Sequence, residues 1–438
     1  MRSYLIGSAS ALCLLAAAPC ALAQVYSTTS DQAAEFGYAF GPRVGMFARN
    51  ANVSVLQRPH PEWDRRDVRF GSFLVRPDVV GSAVYDDNIF AQANGQADVV
   101  LIGKLGVLAE SNWSRNYLSG FARVTGRGYA DHDGENVADW TLGGNGRLDV
   151  GRLSSVQAGA SYEQDTESRT SPSARTDAAE PVRYKTAKAY IGGVQEFSRL
   201  RVTAGLDVRD LRYENVAARG GGEIVETDRD RTSVTLATRG EYAVSGATSI
   251  IATVSANSRS YRLDSGPTSR DSDGVEASLG ANFDLTNLIR GELAVGYSRQ
   301  NYKSAGFDDI DGVSVRGNLQ YFPTPLVTLS LTGSQSIEDT DFAGASGYLL
   351  TSVQFRADYE FRRNVILSGQ LGYQTNKFNG TFDRDDKRPS AGVMANYRLN
   401  RAIGLAIGYD WLKQDSSGAQ KGVNFSSNRV YVVTTYKF

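Results

Sequence analysis

The chain closes on Val430-Tyr431-Val432-Val433-Thr434-Thr435-Tyr436-Lys437-Phe438. Successive side chains of a strand point to opposite faces. Val430, Val432, Thr434, Tyr436 and Phe438 therefore share one face, and Lys437 falls on the other. An apolar, aromatic face that runs to the last residue predicts a terminal β-strand.

The opposite end says where such a strand would work. Arg2, an apolar run from Leu5 to Leu22 and Ala21-Leu22-Ala23 before Gln24 have the layout of a charged n-region, an apolar h-region and a small-x-small cleavage site. Residues 1–23 are thus expected to be a secretory signal peptide. Cys13 and Cys20 are the only cysteines, so the mature protein has no disulfide available. No later stretch reaches the roughly 18 uninterrupted apolar residues of a membrane helix. If the mature chain spans a membrane, it must do so as a closed barrel, which also satisfies every backbone group in lipid.

Charge is balanced, with 47 basic and 48 acidic residues, which gives no argument for nucleic acid. Gly (45) and Tyr (22) are abundant. Glycine lets strands bend and tyrosine suits membrane interfaces, which favours a barrel over a soluble α/β enzyme.

Residues 24–70 lack clean alternation and contain Arg58-Pro59-His60-Pro61-Glu62-Trp63-Asp64. Two prolines argue against a central strand, so this segment is expected outside the wall, as a periplasmic lead-in or partial plug. From residue 71 to residue 438 the pattern becomes alternating segments bounded by turn residues, the signature of a membrane barrel. Val353, Phe355, Ala357, Tyr359 and Phe361, for example, oppose Ser352, Gln354, Arg356, Asp358 and Glu360. A soluble sandwich also alternates. Against it stand aromatics near the ends of the apolar faces, connections that alternate short and long, and the absence of any intervening helical pattern.

Short connections are expected at 150–152, 197–199, 244–246, 285–287, 322–325, 361–364 and 399–401, and long ones at 166–181, 214–228, 264–273 and 413–427. The segments predict an all-β transmembrane antiparallel barrel of about eighteen strands of roughly ten residues each, with sixteen as the alternative count. Their centres fall near 79, 104, 123, 143, 160, 190, 206, 236, 255, 279, 296, 316, 332, 354, 371, 394, 408 and 432, and those around 79 and 394 are the least regular.

A barrel this wide encloses an aqueous lumen unless plugged. Candidate lumen-lining residues are Arg147, Arg201, Arg209, Arg239, Arg316, Arg356, Asp358 and Asp410. Mixed signs argue against strong ion selectivity and suit a hydrated, hydroxylated solute such as a sugar chain. The competing reading is that these charges pair across neighbouring strands and solvate the wall. Acidic loops such as Asp131-His132-Asp133-Gly134-Glu135 lack calcium-loop spacing. Of the two histidines, His132 beside Asp131 and Asp133 is the one candidate base, and His60 shows no partner in the sequence. No metal site, no cofactor and no enzymatic function are expected.

The last strand resembles the closing strand of bacterial outer-membrane barrels, which makes Tyr436 and Phe438 the expected signal to the barrel assembly machinery. Gln57-Arg58-Pro59-His60-Pro61-Glu62-Trp63-Asp64, Gly71-Ser72-Phe73, Arg76-Pro77 and Tyr85-Asp86-Asp87-Asn88-Ile89-Phe90 resemble the type 2 β-barrel porin family of Gram-negative outer membranes. The family is frequently found beside exopolysaccharide synthesis and export functions. The resemblance implies an outer-membrane location amid lipid and lipopolysaccharide, export of an exopolysaccharide, and periplasmic export components as partners. A general diffusion porin and a surface structural or adhesive barrel are the alternatives.

Overall fold

The computed structural model describes residues 53–262, 269–286, 288–340, 342 and 344–438. The expected signal peptide and residues 24–52 of the lead-in lie outside the described residues. Among the described residues no helix is long and apolar enough to cross a membrane.

A short strand, β1 (Val68–Phe70), turns into β2 (Phe73–Asp86). Around the sheet follow β3 (Asp98–Ser111), β4 (Tyr117–Tyr129), β5 (Val137–Asp149), β6 (Ser154–Thr166), β7 (Arg183–Glu196) and β8 (Leu200–Tyr213). A two-residue pair, β9 (Val216–Ala217) and β10 (Glu223–Ile224), decorates the next loop. The sheet resumes with β11 (Arg231–Ala243), β12 (Thr248–Tyr261), β13 (Ser272–Leu285), β14 (Ile289–Tyr302), β15 (Ile310–Thr324) and β16 (Val327–Glu338). It ends with β17 (Ala345–Arg362), β18 (Val365–Gly380), β19 (Asp385–Arg398), β20 (Ile403–Ser417) and β21 (Phe425–Lys437). Consecutive strands pair antiparallel, and β2 meets β21 from Asp78↔Lys437 to Asp86↔Arg429, which closes an eighteen-stranded barrel. Closure leaves no sheet edge to satisfy in lipid.

Each expected strand centre falls inside an observed strand. The strands run 12 to 18 residues, longer than the expected ten, because several continue past the apolar belt into the loops. The expected long loop at 413–427 is a correction: β20 runs to Ser417 and β21 begins at Phe425. Lys413 and Asp415 gave the stretch a loop-like composition, yet Leu412, Gln414 and Ser416 keep the period and are buried. The lead-in boundary also shifts, since Val68–Phe70 pairs with Phe73–Val75 rather than standing clear of the sheet.

Proline lacks a backbone N–H and is tolerated where a ladder is interrupted. Pro77 lies between the β2 residues paired to β1, which end at Val75, and those paired to β21, which begin at Asp78. Pro323 sits in the irregularity between Tyr321 and Thr324. Pro389 falls where the β19–β20 register is interrupted, between Lys387 and Ser390. Two of these are the strands expected to be least regular.

The apolar faces point outward, with Leu101, Leu105, Leu279, Leu371 and Ile407 all exposed. Tyr242, Tyr321, Tyr359, Tyr397 and Tyr436 ring the end that carries the short turns, and Tyr85, Tyr162, Tyr297 and Tyr409 ring the end that carries the longer loops. Two aromatic girdles around an apolar band fit a bilayer and its interfaces.

Candidate functional site

With apolar residues outside, the alternate positions of every strand face the lumen. All eight candidate residues are on this inward register, but they are spread around the wall rather than gathered. Arg147 pairs with Asp149 at 2.8 Å, Arg201 with Glu196, and Arg209 stands 3.9 Å from Asp207. Arg239 pairs with Glu292 at 2.7 Å, Arg316 approaches Glu276 at 3.8 Å, and Arg356 pairs with Asp358 at 2.9 Å. Asp410 is buried against Gly392 of the neighbouring strand. Tyr436 and Phe438 face outward at the short-turn end, their rings edge-on at 4.7 Å.

The lumen wall has two characters. On the far side, from β14 to β18, hydroxyls and amides are the most frequent inward side chains, Ser330, Thr332 and Ser334 on β16, Ser352 and Gln354 on β17, Gln370 and Gln374 on β18, and the charges among them, Glu292, Arg316, Arg356 and Asp358, have ionic partners. The hydroxyls and amides bond mainly to one another, as Ser334 with Ser352 at 2.9 Å and Gln354 with Gln370 at 3.4 Å. On the near side, β3 to β8 carry Lys104, Arg123, Arg127, Glu163 and Lys188, of which Arg127 pairs with Asp139 and Lys188 with Glu163.

Both ends of the lumen are partly occupied. At the long-loop end the β6–β7 connection crosses the interior. Arg384 Nη2 donates to Pro172 O at 3.3 Å and Arg388 donates to Thr170 O, both reaching from β19 and its loop to the opposite side of the ring. Arg384 is itself clamped by Asp386 at 2.8 Å and lies over the rings of Phe342 and Phe378. The β8–β11 loop folds onto the same strap: Arg219 Nε donates to Ala178 O at 3.1 Å, and its guanidinium sits 4.5 Å above the Phe90 ring. Asp339, after β16, is held by Arg259 and by Arg231 at 3.1 Å. Burial works to raise its carboxyl, yet Arg259 and Arg231 hold it below the ordinary aspartate value.

At the short-turn end the lead-in from Val53 to Asp67 lies against the inner wall. The Val55 N–H donates to Thr328 Oγ1 at 2.9 Å, Arg58 pairs with Glu360 at 2.7 Å, and Arg76 of β2 pairs with Asp67 at 2.7 Å. His60 is buried, with Nε2 3.4 Å from Glu360. No partner is legible near it along the chain because Glu360 lies some three hundred residues away. His132 likewise contacts Asp98 at 2.8 Å rather than its neighbours Asp131 and Asp133. Among the described residues no group of three or more His, Cys, Asp or Glu could hold a metal ion.

A family model described as "Putative beta-barrel porin 2" matches residues 60–438. The chain belongs to this porin family. No curated protein matches it. Solved structures similar to this porin-family barrel include the outer membrane protein OpdK of Pseudomonas aeruginosa, at 13% identity over 83% of this chain and 99% of that one, TM-score 0.44. A mutant of the ferric enterobactin receptor PfeA of the same organism gives 8% identity, 83% and 80% coverage and TM-score 0.47. The copper transporter OprC gives 11%, 85% and 82%, and 0.45. Family and architecture together make this a porin-like barrel.

Proposed function

We propose that this barrel sits in the outer membrane and passes a secreted polysaccharide, or assists its passage. The observation that carries the reading is the hydroxyl-and-amide wall from β14 to β18. A hydrated sugar chain exchanges hydrogen bonds with water continuously. A wall of Ser, Thr, Asn and Gln side chains replaces those bonds in turn without holding any one sugar tightly. The strap and the lead-in supply closure at rest, and periplasmic export components would dock at the short-turn mouth, where the lead-in enters.

The test is the amount of surface and secreted polysaccharide in a strain lacking the protein, with envelope integrity measured in parallel. Loss of polysaccharide with an intact envelope is expected. Unchanged polysaccharide would overturn the reading. A steady open conductance of the full chain in planar bilayers would then return it to a general diffusion porin.

A further inference from the structure

Among the described residues most lumen cations are neutralised by a neighbouring carboxylate, and those of one patch are not fully so. Lys104 on β3 and Arg123 on β4 both face the lumen, and Arg123 is exposed there. Their strands pair with Lys104 opposite Thr125 and Arg123 opposite Gly106, which makes the two cations diagonal neighbours. Neither has a carboxylate within ion-pair distance among the described residues, whereas nearby Arg76 is committed to Asp67 and Glu110, and Arg127 to Asp139. Arg65 of the lead-in and Lys437 of β21 continue the patch towards the short-turn mouth, where Arg398 is 3.7 Å from Asp64. The one uncommitted carboxylate among them is Asp78, whose Oδ1 stands over Gly106 between β2 and Arg123. Within this patch five cations, Arg65, Arg76, Lys104, Arg123 and Lys437, thus meet three carboxylates, Asp67, Asp78 and Glu110, while the far wall is rich in hydroxyls and amides and its charges are ion-paired.

We infer that the lumen binds an acidic glycan, with Lys104 and Arg123 coordinating carboxylates on one side of the chain while the far wall takes its hydroxyls. This rests on the polysaccharide reading and narrows its substrate class. A neutral chain would leave two desolvating cations without compensation as it filled the lumen. A carboxylate-bearing chain replaces their water with charge-assisted hydrogen bonds. The cations run from the mouth inward, so successive carboxylates are handed along instead of being trapped at a single site.

Isothermal titration of the full chain in detergent with an oligogalacturonate, and with a malto-oligosaccharide of matched length, tests this. The acidic oligomer is expected to bind ~tenfold or more tightly than the neutral one, and to weaken as sodium chloride rises. The K104Q/R123Q double variant is expected to lose that advantage, while K104R/R123K keeps it and serves as the folding control. Equal affinity for the neutral oligomer, absence of acidic binding, or an unaffected K104Q/R123Q overturns the inference. Lost polysaccharide in the deletion strain alongside a failed titration would sink the acidic site and leave export standing. Normal polysaccharide alongside a successful titration would do the reverse.

Discussion

Arg239 on β11 and Glu292 on β14 form a two-pronged ion pair, Nη1–Oε1 at 2.7 Å and Nη2–Oε2 at 2.9 Å, that bridges over the two intervening strands. Such a span is short only on the concave side of a curved sheet, so the pair marks the lumen face and braces its curvature. Replacing Glu292 by Gln is expected to cost about 1–3 kcal/mol by leaving Arg239 under-compensated. Lowered thermal resistance of the folded band on unheated gels would register it. An unchanged transition would mean that Glu241, 3.8 Å from Arg239, suffices.

Glu360 is the anchor of the lead-in, since both Arg58 and His60 converge on it. Glu360→Ala is expected to speed tryptic cleavage after Arg65 and Arg66 several-fold and to raise bilayer conductance, while the barrel remains protease-resistant. Cleavage at the wild-type rate would show that the Thr328 and Asp67 contacts hold the segment alone.

The strap is held across the lumen through its backbone, by guanidinium donors on β19 and its loop. Arg384→Ala is expected to expose it: a cysteine introduced at the buried Ser173 should react with a water-soluble maleimide much faster in that background. Equal labelling rates would exclude Arg384 as the latch.

Asp339 gives the long-loop end a pH dependence with a defined sign. A carboxyl held below its ordinary value contributes stability that is complete above that value and is lost as pH falls through the lower, folded one. Amide hydrogen exchange at Thr340 should therefore accelerate only below the ordinary carboxylate range. In Asp339→Asn it should be fast, and largely pH-independent once the intrinsic exchange rate is divided out.

Gly296 on β14 has the Ala277 carbonyl and the Ser278 Cα where a Cβ would go. Backbone cannot step aside as a side chain can, so Gly296→Val is expected to destabilise the barrel by about 1–3 kcal/mol or more. Loss of heat-modifiable gel mobility at a lower temperature is the readout.

Wall and lumen differ in how much of them the sequence discloses. The wall is governed by a local rule, alternation with a turn every dozen or so residues, so centres such as 123, 143 and 160 coincide with the middles of β4, β5 and β6. Inward register follows from the same rule, which is why Arg239 and Arg356 could be assigned a side. What fills the lumen obeys no period. His60 meets Glu360, His132 meets Asp98 and Arg388 meets Thr170 only because the ring closes, and no spacing along the chain encodes those meetings. The uncommitted state of Lys104 and Arg123 was hidden for the same reason, since it depends on which carboxylates other strands bring near.

The seam where β2 meets β21 joins residues from the two extremes of the described chain. Every other strand finds its neighbour soon after it is made, but β2 must wait for the last. Until then the growing sheet carries two bare rims whose N–H and C=O groups have nothing to bind, so an unfinished molecule is recognisably unfinished. The ring also has no stable half: losing β21 would reopen β2 and β20 together, so quality control need inspect only one joint to know whether the whole object exists.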